Sequence, residues 1–398
     1  MLKSDDNRIF LEENTYQMNY TKLFEKADAL YEQNKIEEAK AILKKLIKTH
    51  GVEIISIGNG TASKESEIFV ADLIKEIPEK VSYMVVSEAG ASVYSASKLG
   101  ATEFPQFDVS LRSAVSIGRR LQDPMAELVK IDPKSIGVGQ YQHDMPQNRL
   151  SEALGNVVED CVNKVGVDLN TASPSLLSYV SGLTATTAKN IALYREENGE
   201  FTSRAQIKKV PKIGPKAFTQ CAGFLRIPGA KNILDNTGVH PESYEACDKL
   251  LEFLGYTHED IKNGDVSLIE SKVKLFGEEK LAEKLDIGLP TLKDIIKELI
   301  KPGRDIRDEL PPPLLRSDVL DIKDLKPGME ITGTVRNVVD FGAFIDIGVH
   351  HDGLVHISQI SDKYIKHPSE VLKVGQVIKS KVLSVDEKSG RISLTLKG

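Results

Sequence analysis

Phe341-Gly-Ala-Phe-Ile-Asp-Ile-Gly348, followed closely by Gly353-Leu-Val-His-Ile-Ser358, is the stretch from which the rest of the chain is best read. Both runs are short, rich in apolar and β-branched residues and bounded by glycine, which marks strands rather than helices. Around them lie three runs of the same texture, Met329–Val338, Val377–Val385 and Arg391–Leu396. Five short strands joined by glycine-bearing turns predict a small all-β barrel over 326–398. In a regular strand Phe341 and Ala343 would share one face and Phe344 would take the other. Gly342 permits a bend or bulge that brings both rings to one surface. His356 follows on the next strand, and Lys379, Lys381 and Arg391 supply cations on neighbouring strands. Exposed aromatics with interleaved cations are what a single-stranded nucleic acid requires. Each base stacks on a ring for roughly 1–3 kcal/mol while Lys and Arg follow the phosphates. The competing assignment puts both phenylalanines in the barrel core.

Gly333-Thr-Val335, Phe341-Gly-Ala-Phe344, Gly353-Leu-Val-His-Ile-Ser358, Val374-Gly-Gln-Val377 and Arg391-Ile-Ser-Leu394 together resemble the S1 domain. That family is an OB-fold RNA-binding module of ribosomal and RNA-processing proteins. The resemblance implies that Phe341, Phe344 and His356 sit on the RNA-facing surface, joined by Arg391.

Working back from the barrel, Pro302-Gly303 through Pro311-Pro-Pro313 reads as an extended linker over 302–325. Residues 230–301 read as a charged helical domain with an amphipathic stretch at Tyr244–Leu254. Over 151–229 the texture is short helices punctuated by Gly and Pro, with an internal echo: Leu177–Ile191 recurs as Ile207–Cys221. Each copy reads as helix, tight turn, helix. Backbone N–H groups at the start of the second helix favour a phosphate. In Pro211-Lys-Ile-Gly-Pro-Lys216, Gly214 allows close approach and Lys212 and Lys216 add charge. The first copy offers Gly182 and Lys189, but Ser181-Gly-Leu-Thr184 lacks a second glycine. The pattern resembles helix-hairpin-helix domains, which hold the backbone without reading base sequence. The alternative is turns that only pack the domain.

The N-terminal part is less telling. Val52-Glu-Ile-Ile-Ser-Ile57, a helix over Lys64–Ile77 and Val81-Ser-Tyr-Met-Val-Val86 predict a parallel α/β unit, with a third strand at Ser135–Tyr141. A helix is expected over 22–48. Gly58-Asn-Gly-Thr-Ala-Ser63 fails the phosphate-loop pattern and reads as a structural turn. Glu88 and Asp144 follow predicted strands; carboxylates converging there would hold Mg²⁺ for phosphodiester hydrolysis, although such acids are usually solvated caps.

Composition sets the bounds. The chain has 398 residues, 40% hydrophobic and 28% charged, which is ordinary globular usage. Three cysteines without C-x-x-C spacing argue against a disulfide framework or a cysteine zinc site, and fit a reducing cytoplasm. No apolar run approaches a membrane span. Net charge is −6, yet 163–226 carries nine Lys/Arg against four Asp/Glu and 326–398 ten against eight, while 227–325 has 14 against 21. Two basic modules flanking an acidic one is the asymmetry that matters for a polyanion.

Longer runs, among them Ile57-Gly-Asn-Gly-Thr-Ala-Ser63, Ser87–Ser97, Asp108-Val-Ser-Leu-Arg112, Arg119–Pro124, Asp132–Asp144 and His240-Pro-Glu-Ser-Tyr244, resemble the Tex family of bacterial transcription accessory proteins. That resemblance runs from about residue 35 to the end. It implies a multidomain α/β, all-α and all-β chain: 1–34 unassigned and expected helical, a partial YqgF or ribonuclease-H-like domain over 35–150, tandem helix-hairpin-helix over 151–229, then the helical domain, linker and S1 barrel above. Set against that family, the long N-terminal helical region and the opening strands of the nuclease-like fold, with a first catalytic acid, are expected to be missing from this sequence. A sheet without those strands is expected to expose an edge. The expected function is cofactor-free binding of single-stranded RNA, with DNA as a second ligand, in transcription, and with RNA polymerase or the ribosome as a protein partner. The competing function is a metal-dependent nuclease using Glu88 and Asp144.

Overall fold

A computed structural model of the chain describes residues 35–398 apart from 140, 304, 306, 308–314, 318–324, 350–351, 387–389 and 398. The segment 1–34, including most of the first half of the expected 22–48 helix, and much of the proline-bearing linker lie outside the described residues. The chain forms two compact units, one of residues 1–122 with 311–398 and one of residues 123–310.

In the first unit, α1 (Ile36–His50) precedes β1 (Ile54–Gly58), α2 (Ser63–Lys75) and β2 (Ser82–Val86). The expected parallel β-α-β arrangement is present, in register from Ile54 opposite Ser82 to Gly58 opposite Val86. Alternation in β1 buries Ile55 and Ile57, which meet Val70, Ala71 and Leu73 of α2 and Ile47 of α1. This apolar contact, at about 25 cal/mol per Å² buried, holds the layers. Three further helices follow, α3 (Ala91–Ala96), α4 (Lys98–Glu103) and α5 (Val109–Gln122). The other edge of β2 is bridged at Tyr83. Its N–H donates to the Arg316 carbonyl at 2.7 Å, and the Arg316 N–H returns the bond at 2.9 Å. The Arg316 guanidinium reaches Asp346 at 3.1 Å and Glu67 at 3.7 Å. One short segment thus caps part of the edge that a small sheet leaves open.

Among the described residues of Ser135–Tyr141 the expected third strand does not form. Asp132 caps a short 3-10 turn at Pro133–Ser135, and Gly137 takes φ +87. The Gln142 side-chain amide donates to the Lys134 carbonyl at 2.9 Å and its oxygen accepts from Val138 N–H at 3.2 Å. Local side-chain bonds have replaced a ladder. Val138 and Tyr141, apolar residues that made the run look strand-like, are 45% and 68% exposed.

The barrel closes in the order β5-β6-β7-β9-β8, from β5 (Glu330–Val339), β6 (Gly342–Asp346), β7 (Gly353–His356), β8 (Val377–Asp386) and β9 (Arg391–Thr395). All pairs are antiparallel except β7 with β9. Inward alternation puts Val335, Ala343, Ile345, Val355, Val382, Ile392 and Leu394 into one core. Strand positions follow the sequence pattern to within a residue or two because the pattern has the two-residue period that a half-buried strand needs.

In the second unit, α6 (Pro124–Leu128) and the long α7 (Gln147–Val165) lead to β3 (Val167–Asp168), α8 (Pro174–Leu177) and α9 (Ala185–Asn198). A 3-10 turn at Arg204–Lys209 takes the place of the first helix in the second copy, before α10 (Pro215–Cys221) and β4 (Leu225–Arg226), which pairs parallel with β3. The acidic part supplies α11 (Tyr244–Leu254), α12 (His258–Asn263), α13 (Ile269–Phe276), α14 (Glu278–Lys284) and α15 (Leu289–Ile300). The two helical parts are joined by Arg204, 1% exposed, whose guanidinium donates to the carbonyls of Leu225, Thr237 and Val239 and to the Tyr244 hydroxyl. Among the described residues the cysteines are free; Cys221 and Cys247 are buried, which pushes each thiol up to about 12. No helix among the described residues is long and apolar enough to cross a membrane.

Candidate nucleic-acid interface

Phe341 stands in the turn immediately before β6 and Phe344 in the middle of that strand, and the two rings meet edge to face with centroids 6.2 Å apart at 88°. Phe341 is 51% exposed, whereas Ala343 between them is fully buried. Gly342, between the two rings in sequence, faces His356 across the β6–β7 ladder. A Cβ on Gly342 would overlap the Val355 carbonyl oxygen and lie 3.1 Å from the His356 Cα. Only glycine lets the two strands approach this closely. Gly342→Ala is therefore expected to destabilise the barrel by about 1–3 kcal/mol, as overpacking does; a thermal melt of the purified chain checks this, and an unchanged barrel transition would contradict it.

His356 is exposed at the end of β7. Its Nδ1 accepts from the Ser358 N–H at 3.3 Å and lies 2.9 Å from the Ser358 hydroxyl, which fixes the ring and leaves Nε2 outward as a donor. Arg391 is exposed at the start of β9 and is paired in register with Asp386. Lys379 and Lys381 are not brought to the rings. They pair with Thr332 and Glu330, whereas Phe344 pairs with Asn337, five residues further along β5 than Thr332. That separation is roughly 16 Å along the strand. Lys381 also approaches Glu330 at 3.6 Å. A cation missed in the sequence lies closer: the irregularity between Val335 and Asn337 turns out Arg336, which is exposed and 3.3 Å from Asp352. The signal was the break in alternation at Val335-Arg336-Asn337.

In the second unit, Gly214 opens α10 with no side-chain cap, and a Cβ there would meet nothing within 4 Å. Lys212 takes φ +68, a left-handed conformation costly for a residue with a Cβ. Lys212 and Lys216 are both exposed, and the Asn190 amide donates to the Pro211 carbonyl at 2.8 Å to hold the turn. With only seven residues, α10 has a small dipole, so charge here comes mainly from the lysines. The first copy differs. Thr184 caps α9 through a reciprocal bond with Thr187, and the side of Gly182 is filled by Gln220 and by the Ala217 carbonyl oxygen at 3.2 Å. Its glycine is explained by packing of one hairpin on the other, and Lys189 is exposed beyond it.

The same backbone recurs in the acidic part, where the sequence reading saw only helices. A left-handed residue, an apolar residue and an extended N-cap appear as Gly182-Leu-Thr184 and Lys212-Ile-Gly214, and again as Gly255-Tyr-Thr257 and Asp286-Ile-Gly288. The spacing was present in the sequence. The charge is opposite: Asp286 stands where the second hairpin has Lys212.

The two acids proposed for metal chemistry are not both at strand ends. Glu88 follows β2, where its N–H donates to Asn59 Oδ1 at 3.0 Å and its carboxylate lies over the Gly58–Gly60 turn. Asp144, lacking the strand meant to position it, sits in an exposed 3-10 turn with His143 at 3.4 Å. Glu88 belongs to the first unit and Asp144 to the second. Among the described residues no group of three or more His, Cys, Asp or Glu is arranged to hold a metal ion.

An OB-type barrel with an outward aromatic pair, linked in one chain to helix-hairpin-helix units and a small α/β domain, defines the class. Comparison with known proteins matches these parts in the same order: the Tex protein YqgF-like domain over residues 12–122, a helix-hairpin-helix motif over 162–226, an HHH domain over 232–307 and the S1 RNA binding domain over 324–397. The chain is 51% identical over 374 residues to "Uncharacterized protein YdcI" of Bacillus subtilis, covering 93% of this chain and 52% of that protein. It is 54% identical over 358 residues to "Transcriptional accessory protein Tex" of Neisseria gonorrhoeae, covering 90% and 46%. With the human "S1 RNA-binding domain-containing protein 1" it shares 39% identity over 411 residues, covering 89% and 41%. The chain thus carries a Tex protein YqgF-like domain, helix-hairpin-helix domains and an S1 domain in one order, and it spans about half the length of the curated relatives it matches.

Proposed function

We propose that the chain binds single-stranded RNA on the barrel face that carries Phe341, Phe344 and His356, with Arg391 and Arg336 at its margin. The observation that carries this is the edge-to-face pair of an exposed Phe341 and a half-buried Phe344 beside an exposed histidine. Bases stack on such rings whatever their identity. DNA is a second ligand through the same chemistry. Lys212, Gly214 and Lys216, and more weakly Gly182 and Lys189, hold a phosphate backbone. Lys379 and Lys381, away from the rings, contribute long-range attraction only.

The activity is binding without catalysis, in a transcription-accessory role in the cytoplasm, with RNA polymerase or the ribosome as the protein partner. The similarity to a transcriptional accessory protein supports that role, and the exposure of Asp144 in a 3-10 turn, without the strand expected to position it, weakens the nuclease alternative. The domain limits 35–150, 151–229, 230–301 and 326–398 belong to the same reading.

A salt-titrated binding assay with single-stranded RNA, single-stranded DNA and duplex DNA tests it. Affinity for RNA is expected to fall on a straight log–log line with salt, with a slope of roughly −0.7 per phosphate contact. Preference for duplex DNA, undiminished when Phe341 and Phe344 are both replaced by alanine, would move the function to the hairpins. Mg²⁺-dependent cleavage abolished by Glu88→Gln would restore the enzyme.

A further inference from the structure

We propose that Tyr364 is a further base-stacking platform of the barrel, extending the path of a single strand beyond Phe341 and Phe344, with Lys363 and Lys366 meeting the phosphates on either side. The inference rests on the reading of the ring pair as an RNA surface.

Tyr364 is 93% exposed, more than any other large apolar side chain among the described residues. A lone exposed apolar residue needs no explanation. This one is held in a particular way. Its neighbour Ile365 packs against the barrel core, so the loop is pinned there while Tyr364 is left in solvent. Three residues on, His367 Nε2 lies 2.7 Å from the Asp340 carboxylate, its Nδ1 is 2.9 Å from the Ser369 hydroxyl, and Pro368 is buried. Asp340 immediately precedes Phe341. The loop is thus tethered to the turn that carries the first ring, and Tyr364 lies within roughly 11 Å of chain from that tether. The loop is anchored on either side of the ring, and the ring itself is left exposed.

Two lysines stand beside it in the loop. Lys363 and Lys366 are exposed and have no carboxylate partner within ion-pair distance among the described residues, whereas the nearby Asp362 has Lys397 at 3.9 Å. An aromatic face flanked on both sides by free ammonium groups suits a base and its two phosphates. An apolar protein surface would gain nothing from those charges and would have to desolvate them.

The test uses the full chain and two oligouridylates, one too short to span beyond the ring pair and one several nucleotides longer. Tyr364→Ala is expected to weaken binding of the longer strand by roughly 5- to 150-fold and to leave the shorter one unchanged. Tyr364→Phe is expected to bind both like the parent, because stacking needs the ring and not the hydroxyl. Because the side chain packs against nothing, all variants should melt alike. If Phe344→Ala loses the longer strand and Tyr364→Ala does not, the platform is overturned while the ring-pair reading stands. A loss as large in Tyr364→Phe as in Tyr364→Ala would also overturn it, making the contact a hydrogen bond. If the parent binds neither strand, both readings fall together.

Discussion

Phe344→Ala is expected to lower affinity for a single-stranded oligoribonucleotide by roughly 5- to 150-fold, the equivalent of about 1–3 kcal/mol of base stacking. The barrel should stay folded, because its core is made by Ala343, Ile345, Val355 and their neighbours and does not include Phe344. Removing the ring also deprives Phe341 of its edge-to-face partner, a contact worth about 0.5–1.5 kcal/mol beyond burial. Phe341→Ala should therefore be less than additive with Phe344→Ala, since each loosens the platform of the other. Lys379→Ala and Lys381→Ala should cost little and only at low salt, given their place along β5. Fluorescence anisotropy with labelled RNA reads these effects. Equal affinity in a folded Phe344→Ala chain would remove stacking from the mechanism.

The second large effect is structural. Arg204→Met is expected to destabilise the second unit by about 3–5 kcal/mol, the cost of breaking a buried charged network by removing one partner. The reason is accounting of donors: without the guanidinium, the carbonyls of Leu225, Thr237 and Val239 lose their bonds, and the Tyr244 hydroxyl loses a donor, while Asp235, 4% exposed, keeps the Tyr244 hydroxyl and the backbone N–H of residue 204 but loses a nearby positive charge. Burial lowers the Arg204 pKa, opposed by Tyr244 and Asp235, and burial likewise raises that of Tyr244. Arg204→Lys should rescue little, because one ammonium does not span the separate acceptors that a planar fork reaches. Chemical denaturation of the full chain followed by far-UV circular dichroism measures both. A loss below about 1 kcal/mol would place Arg204 among ordinary side-chain contacts.

How far the sequence carried each part follows from the range of the interaction involved. The five barrel strands and α11 at Tyr244–Leu254 were legible because a period of 2 or 3.6 is written locally. The same locality misled at Ser135–Tyr141, where apolar alternation looked like a strand but found no neighbour to pair with. That failure carried Asp144 with it, since its place at a strand end was inferred from the strand. The hairpins of the acidic part were overlooked because Asp286 and Gly255 hold the turn geometry without the lysines that drew attention to the other pair.

The sequence by itself determined the kinds of module and their order: glycine, proline and alternation act within a few residues and need no tertiary partner. Only the tertiary structure decided that Phe341 and Phe344 share a face, that Lys379 and Lys381 stand apart from them while Arg336 does not, and that Arg204 ties two helical parts. Those outcomes depend on strand register, on the close approach at Gly342 and on which carbonyls a buried guanidinium finds, all of which join residues distant in the chain.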